Sequence, residues 1–209
     1  MSGRLRVGVL ASGRGSNLQA LLDACRQPGF PAEVVVVVSD REAAPALARA
    51  AAAGVPAVFL NPKDHADRAG YDAALLGCLA GHGVELTCLA GFMRILGPAF
   101  VRALSGRLMN VHPSLLPAFP GLAAQRQALE HGVKVAGATV HFVDEGVDTG
   151  PIIAQSGVPV LDGDSEASLA ARILVEEHRI YPEAVRLFAL GRLRVAGRRV
   201  TIDTEGGSP

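Results

Sequence analysis

Asn110, Val111, His112 and Pro113 close an apolar run that begins at Leu108 and Met109. An amide and an imidazole at the end of a buried strand cost free energy unless something there uses them. Residues two apart on a strand face the same side, so Asn110 and His112 are expected to project together while Val111 faces the core. Pro113 disfavours the helical region for the residue before it, which holds His112 extended and fixes the direction of its ring. The pair suits acyl chemistry, in which the amide hydrogen-bonds a developing oxyanion while the histidine donates or shuttles a proton. Ser114 lacks a G-x-S-x-G setting, so the attacking group is expected on the substrate. A histidine in this role needs a carboxylate to orient it. The loop Asp144-Glu145-Gly146-Val147-Asp148-Thr149-Gly150 offers several. Two plainer readings stand beside this one. His112 could be a satisfied structural residue, or it could ligate a metal with His141 and an acid, although no H-x-x-x-H or H-x-E spacing supports a metal.

A second group of residues lies near the N-terminus. Gly13-Arg14-Gly15-Ser16-Asn17 follows an apolar strand and precedes a helical pattern. Glycines there let the chain turn tightly, and the N–H groups of the first helical turn then face an anion. No Gly-Lys-Ser/Thr follows, so it is not a P-loop. It begins like a dinucleotide fingerprint, but Leu18 stands where the third glycine belongs; Asp40 could still mimic a ribose-binding acid. The favoured reading is one phosphate held by the backbone N–H groups of Gly15, Ser16 and Asn17, with help from the Ser16 hydroxyl. The alternative is a tight turn with Asn17 as an N-cap.

Periodicity supplies the elements that must position these residues. Strands are expected over 5–11, 33–39, 56–60, 84–90 and 108–112, with helices over 17–26, 43–53, 67–80 and 98–104 between them. Five consecutive valines, Val34 to Val38, mark a strand buried on both faces, as in a parallel sheet. The alternation predicts an α/β fold with a doubly wound, mostly parallel sheet and ligands at the carboxyl ends of its strands. A helix over 125–131, β-rich runs over 134–143 and 152–160, and a long helix over 165–190 follow. Asp164 or Ser165 is the expected N-cap of that helix, and Pro182 is expected to kink or divide it. A small hairpin around Gly197 and a frayed tail, 204–209, complete the C-terminal β-rich and long-helix portion.

Composition bounds the partners. At 209 residues, the length suits one domain better than two, on a prior of about 100–200 residues per domain. Hydrophobic residues make up 49% and charged residues 19%, enough for a sizeable core and against global disorder. Lys plus Arg equals Asp plus Glu at 20 each. That balance disfavours nucleic acid and leaves an anionic ligand to local donors. Cys25, Cys78 and Cys88 are expected to be reduced core thiols of a cytoplasmic protein, not a disulfide framework or zinc site. The N-terminal apolar run is too short to span a membrane and shows no export signal.

The motifs SGRGSNLQAL, LAGFMRIL, NVHPSLLPAFPG, VHFVDEGVDTGPII and EEHRIYP, in this order, give the chain a resemblance to the folate-dependent phosphoribosylglycinamide formyltransferases. The resemblance runs from Val7 to about Leu193. It implies the Rossmann-like formyltransferase fold as a single domain over 1–209. Residues 1–112 would form the phosphate-binding βαβ half and 113–203 the folate-binding and catalytic half.

The implied reaction is attack by a glycinamide amine on the formyl carbon of 10-formyltetrahydrofolate, in de novo purine synthesis. No metal and no nicotinamide are implied. Asn110 and His112 match the family's catalytic amide and general acid, and Asp148 the carboxylate that supports the histidine. Gly15, Ser16 and Asn17 match its substrate-phosphate site, and Glu177 a residue near the substrate amine. Arg68, Met93, Arg94, Ile95, Leu96, Asn110 and Asp144 match folate contacts.

Some of these positions have bland counterparts. Met93, Ile95 and Leu96 could be core, Arg68 an exposed helix charge, and Glu177-His178 a solvated face. One departure is Ala123, where many relatives carry a histidine. HPSLLP with a later aspartate is shared by formyl-transferring and formyl-hydrolysing enzymes. The rivals are therefore methionyl-tRNA formyltransferase, formyltetrahydrofolate hydrolase and a non-catalytic nucleotide-binding module. The first usually carries a C-terminal tRNA domain, and the second an N-terminal regulatory one. The expected partners are small molecules only, with a monomeric or homodimeric enzyme.

Overall fold

The computed structural model describes residues 3–203; the tail expected over 204–209 lies outside them. The chain divides into two compact units, one ending at Asn110 and the next beginning at Val111.

In the first unit β1 (Leu5–Leu10), β2 (Ala32–Ser39), β3 (Ala57–Phe59), β4 (Leu86–Leu89) and the first three residues of β5 (Leu108–His112) alternate with helices. Those helices are α1 (Ser16–Cys25), α2 (Pro45–Ala52), α3 (Arg68–Gly81) and α4 (Pro98–Ala103). The strands run parallel in the order β3-β2-β1-β4-β5. The order reverses between β1 and β4, which is where a doubly wound sheet opens a crevice for ligands. Val36, Val37 and Val38 are buried, as a strand covered on both faces requires, whereas Val34 and Val35 are only half-buried. Apolar residues on one face of α1 (Leu18, Leu21 and Leu22) join this core.

In the second unit α5 (Ala124–Glu130) precedes β6 (Val135–Phe142) and β7 (Ile152–Pro159), which pair antiparallel. The helix α6 (Glu166–Ala189) packs on both, and the hairpin of β8 (Leu193–Ala196) and β9 (Arg199–Ile202) joins through β9 alongside β7. Ser165 caps α6 in a reciprocal capping box with Ser168, which settles the choice between Asp164 and Ser165. Asp164 instead accepts two hydrogen bonds from the Arg172 guanidinium.

Of the kink or division expected at Pro182, division does not occur, for α6 runs unbroken from Glu166 to Ala189. An interior proline costs about 3 kcal/mol through its missing N–H and its clash with the preceding turn. Here Ile180, Tyr181, Pro182, Ala184 and Val185 are all buried, and that packing outweighs the local penalty.

Candidate active site

The turn after β1 is built for close approach. Gly15 is the N-cap of α1 with φ 71°, and no side chain caps the helix. A side chain at position 15 would meet the Ala46 backbone at 2.9 Å, so only glycine brings this turn against α2. The Arg49 guanidinium donates to the Arg14 carbonyl at 2.8 Å and holds the turn from α2. Ser16 opens the helix and Asn17 lies within it, buried, which overturns the alternative of Asn17 as N-cap. An uncapped first turn directs its N–H groups outward, at the positive end of the helix.

The loop after β4 lies beside that turn. The Ser12 amide donates to the Gly91 carbonyl at 3.1 Å, and the Ser12 hydroxyl accepts from the Met93 amide at 2.9 Å. At its far end the Gly97 amide donates to the buried Asp72 carboxylate at 2.7 Å. Between these anchors the Arg94 guanidinium sits 5.0 Å from the Tyr71 ring centroid, a cation–π contact. Arg68, exposed in the first turn of α3, approaches the same loop near Gly97. Met93 is 59% and Ile95 72% exposed, and Leu96 is half-buried. The core reading therefore fails for Met93 and Ile95: the ends of the segment are tied down while these apolar side chains stay exposed. Tyr71 and Asp72 had no motif signal, because their part depends on what the fold sets beside them.

Burial and the nearby Asp40 carboxylate push the Tyr71 hydroxyl up to about 12. Asp40 follows β2, as a ribose-binding acid would, with one carboxylate oxygen buried and without a hydrogen-bond partner.

The second unit carries an imidazole–carboxylate cluster. Asn110 is half-buried and His112 almost fully buried at the end of β5. His112 Nδ1 lies 3.3 Å from Asp148 Oδ2, and its Nε2 lies 2.9 Å from the Phe119 carbonyl. The Gly121 amide donates to the same Asp148 oxygen at 2.8 Å. Burial pushes the Asp148 carboxyl up, but a bond from His141, the Gly121 amide and the charges of His112 and His141 outweigh it, leaving the carboxyl below its ordinary value. Asp144 does not reach this cluster through its Oδ1, which accepts from the Gly146 amide at 3.1 Å and the Thr149 hydroxyl at 2.6 Å, folding the loop on itself.

The strand exit after His112 is locked by Thr139. Its hydroxyl donates to the Ser114 carbonyl at 2.7 Å and accepts from the Leu116 amide and Gln155 amide nitrogen, each at 3.0 Å.

Two further expectations need correction. Glu177 is buried on α6, not part of a solvated face, because α6 packs this side on β6 and β7. His178 is half-buried, and burial holds its ring below the usual histidine range. Of the thiols only Cys88 is core; Cys25 and Cys78 are half-buried. Burial pushes Cys25 up to about 11 and Cys78 also upward, which suits neither to nucleophilic work. Among the described residues no group of three or more His, Cys, Asp or Glu is arranged to hold a metal ion. None of their helices is long and apolar enough to cross a membrane.

A doubly wound sheet, a glycine-capped helix at its switch point and a buried histidine–aspartate pair at a strand end define an α/β protein that handles small ligands at strand ends. The model of the formyl transferase family matches residues 5–185. Phosphoribosylglycinamide formyltransferase of Mycobacterium tuberculosis is 50% identical over 203 residues, covering 94% of each chain. The trifunctional purine biosynthetic protein adenosine-3 of Drosophila melanogaster is 53% identical over 90% of this chain, which spans only 14% of that relative's length. The crystal structure of glycinamide ribonucleotide transformylase 1 from Symbiobacterium toebii superposes with a TM-score of 0.95 at 58% identity, covering 97% of this chain and 95% of its own. The chain belongs to the formyl transferase family, among its phosphoribosylglycinamide formyltransferases.

Proposed function

We propose that this chain transfers the formyl group of 10-formyltetrahydrofolate to the amine of N1-(5-phospho-D-ribosyl)glycinamide, giving the N-formyl product and tetrahydrofolate in de novo purine synthesis. The observation that carries the reading is the buried pairing of His112 with Asp148, in a chain half identical to a phosphoribosylglycinamide formyltransferase covered over 94% of its length.

The amine nitrogen attacks the formyl carbon, and the carbonyl oxygen takes on negative charge as the new C–N bond forms. Asn110 donates a hydrogen bond to that oxygen, and His112 gives a proton to the folate nitrogen as the old C–N bond breaks. The amine's surplus proton leaves with collapse of the intermediate and restores the histidine. Asp148 keeps the imidazole oriented. Backbone N–H groups of Gly15, Ser16 and Asn17 hold the substrate phosphate, and Glu177 lies near its amine. Arg68, Met93, Arg94, Ile95, Leu96, Asn110 and Asp144 receive the folate, the 93–96 segment mainly through backbone groups. Holding two reactants in register supplies an effective molarity equivalent to several kcal/mol, on the order of 7.

The reading needs neither metal nor nicotinamide, nucleic acid nor membrane, and places the enzyme in the cytoplasm as a monomer or homodimer. Its test is tetrahydrofolate release with the glycinamide nucleotide present and then omitted. Release only with the nucleotide is the expected result. Release without it would make the protein a formyltetrahydrofolate hydrolase, and no release a non-catalytic module.

A further inference from the structure

We propose that His141 is a positioning residue for formyl transfer, acting through Asp148 by holding the carboxylate oxygen that His112 leaves open. Asp148 divides its two oxygens between partners. Oδ2 faces His112 Nδ1 at 3.3 Å and accepts from the Gly121 amide, while Oδ1 faces His141 Nε2 at 3.6 Å. His141 is 1% exposed, so water does not screen this contact.

Its ring direction is set from the other side. With a hydrogen on each nitrogen the ring bridges two acceptors: Nδ1 donates to the Phe142 carbonyl at 2.8 Å, which turns the Nε2 hydrogen toward the carboxylate. The β6–β7 register shifts between Val140 and His141, an irregularity of the kind that re-aims a side chain out of strict alternation.

Asp148 needs such a hold. It sits at φ 54°, a left-handed conformation that an aspartate adopts only with local support. Its loop is drawn onto the end of β6 at Gly150, where a side chain would clash with the Phe142 carbonyl oxygen. His141 therefore grips the far oxygen of a carboxylate that a constrained loop delivers, and the near oxygen is left aligned on His112.

The kinetic arm of the test rests on the formyl-transfer reading. His141→Met keeps approximate volume and removes the ring donor, whereas His141→Gln keeps an amide N–H near the Nε2 position. The expected result is a fall in kcat of about 10–100-fold for His141→Met, with KM for both substrates nearly unchanged, and substantial recovery in His141→Gln. In an Asp148→Asn background His141→Met should add little, because the two residues act as one unit. A second arm is independent of activity: a carbon-13 NMR titration of the Asp148 carboxyl should move upward in His141→Met and less so in His141→Gln. Unchanged kcat in His141→Met, or full additivity with Asp148→Asn, overturns the proposal; so does an unmoved Asp148 titration. Absence of formyl transfer in the unmodified protein would instead sink the reading, and the carboxyl titration would still decide whether His141 holds Asp148.

Discussion

Both ring nitrogens of His112 face oxygens, the Phe119 carbonyl on one side and the Asp148 carboxylate on the other. A buried imidazole with this double fit keeps one orientation, and on the proposed mechanism its Nε2 hydrogen must leave the Phe119 carbonyl for the folate nitrogen. Removing Asn110 or His112 by Ala substitution should lower kcat by at least about 10²–10³, the usual cost of losing one transition-state donor. Equilibrium binding of the phosphate substrate should persist, as isothermal titration calorimetry can check. Asp148 makes a separate prediction about pH. Its folded carboxyl is held low, so its stabilising contribution is complete above the unfolded value of about 3.9 and is lost as pH falls through the folded one. The stability gap between the unmodified protein and Asp148→Asn should therefore narrow on acidification below about 4, read from urea melts. The residues pointed to a carboxylate in the 144–150 loop, and resemblance singled out Asp148. His141 and Gly121, which hold that carboxylate, carried no such signal, because their roles come from non-local pairing.

At the scale of elements, Gly15 shows how one residue positions a helix end. With φ 71° and Ala46 at 2.9 Å, Gly15→Ala combines left-handed strain with a backbone clash. It should weaken binding of the phosphate substrate at least tenfold, by about 1.4 kcal/mol or more, while folate binding changes less. Ala123 offers the opposite experiment. It caps α5 at φ 57°, where L-residues other than glycine are strained, and no side-chain bond caps the helix there. Ala123→Gly should raise Tm by about 2–4 °C, the shift expected for relief of roughly 1 kcal/mol in a chain this long. Strand and helix placement was largely legible from periodicity, β5 included. Pro182 does not divide α6, because local propensity is a weak guide where both neighbouring turns are buried.

The molecule as a whole carries no formal net charge. Long-range steering is then weak, and on the proposed function capture of the substrate phosphate would rest on the helix end and turn at Gly15. Between about 50 and 300 mM potassium chloride, kcat/KM for the phosphate substrate should change by less than about threefold; a steep fall would reveal a steering field that the composition does not predict. Near-neighbour chemistry sets turns, strand alternation and helix starts, so the sequence by itself determined the doubly wound alternation, the glycine turn and the shared strand of Asn110 and His112. Which groups meet across the fold was decided only in three dimensions. Ser12 ties down Met93, Asp72 holds Gly97, Glu177 is buried, and His141 closes on Asp148. The Ser12–Met93 and Asp72–Gly97 bonds join residues far apart in the chain, and burial and packing, not local preference, select them.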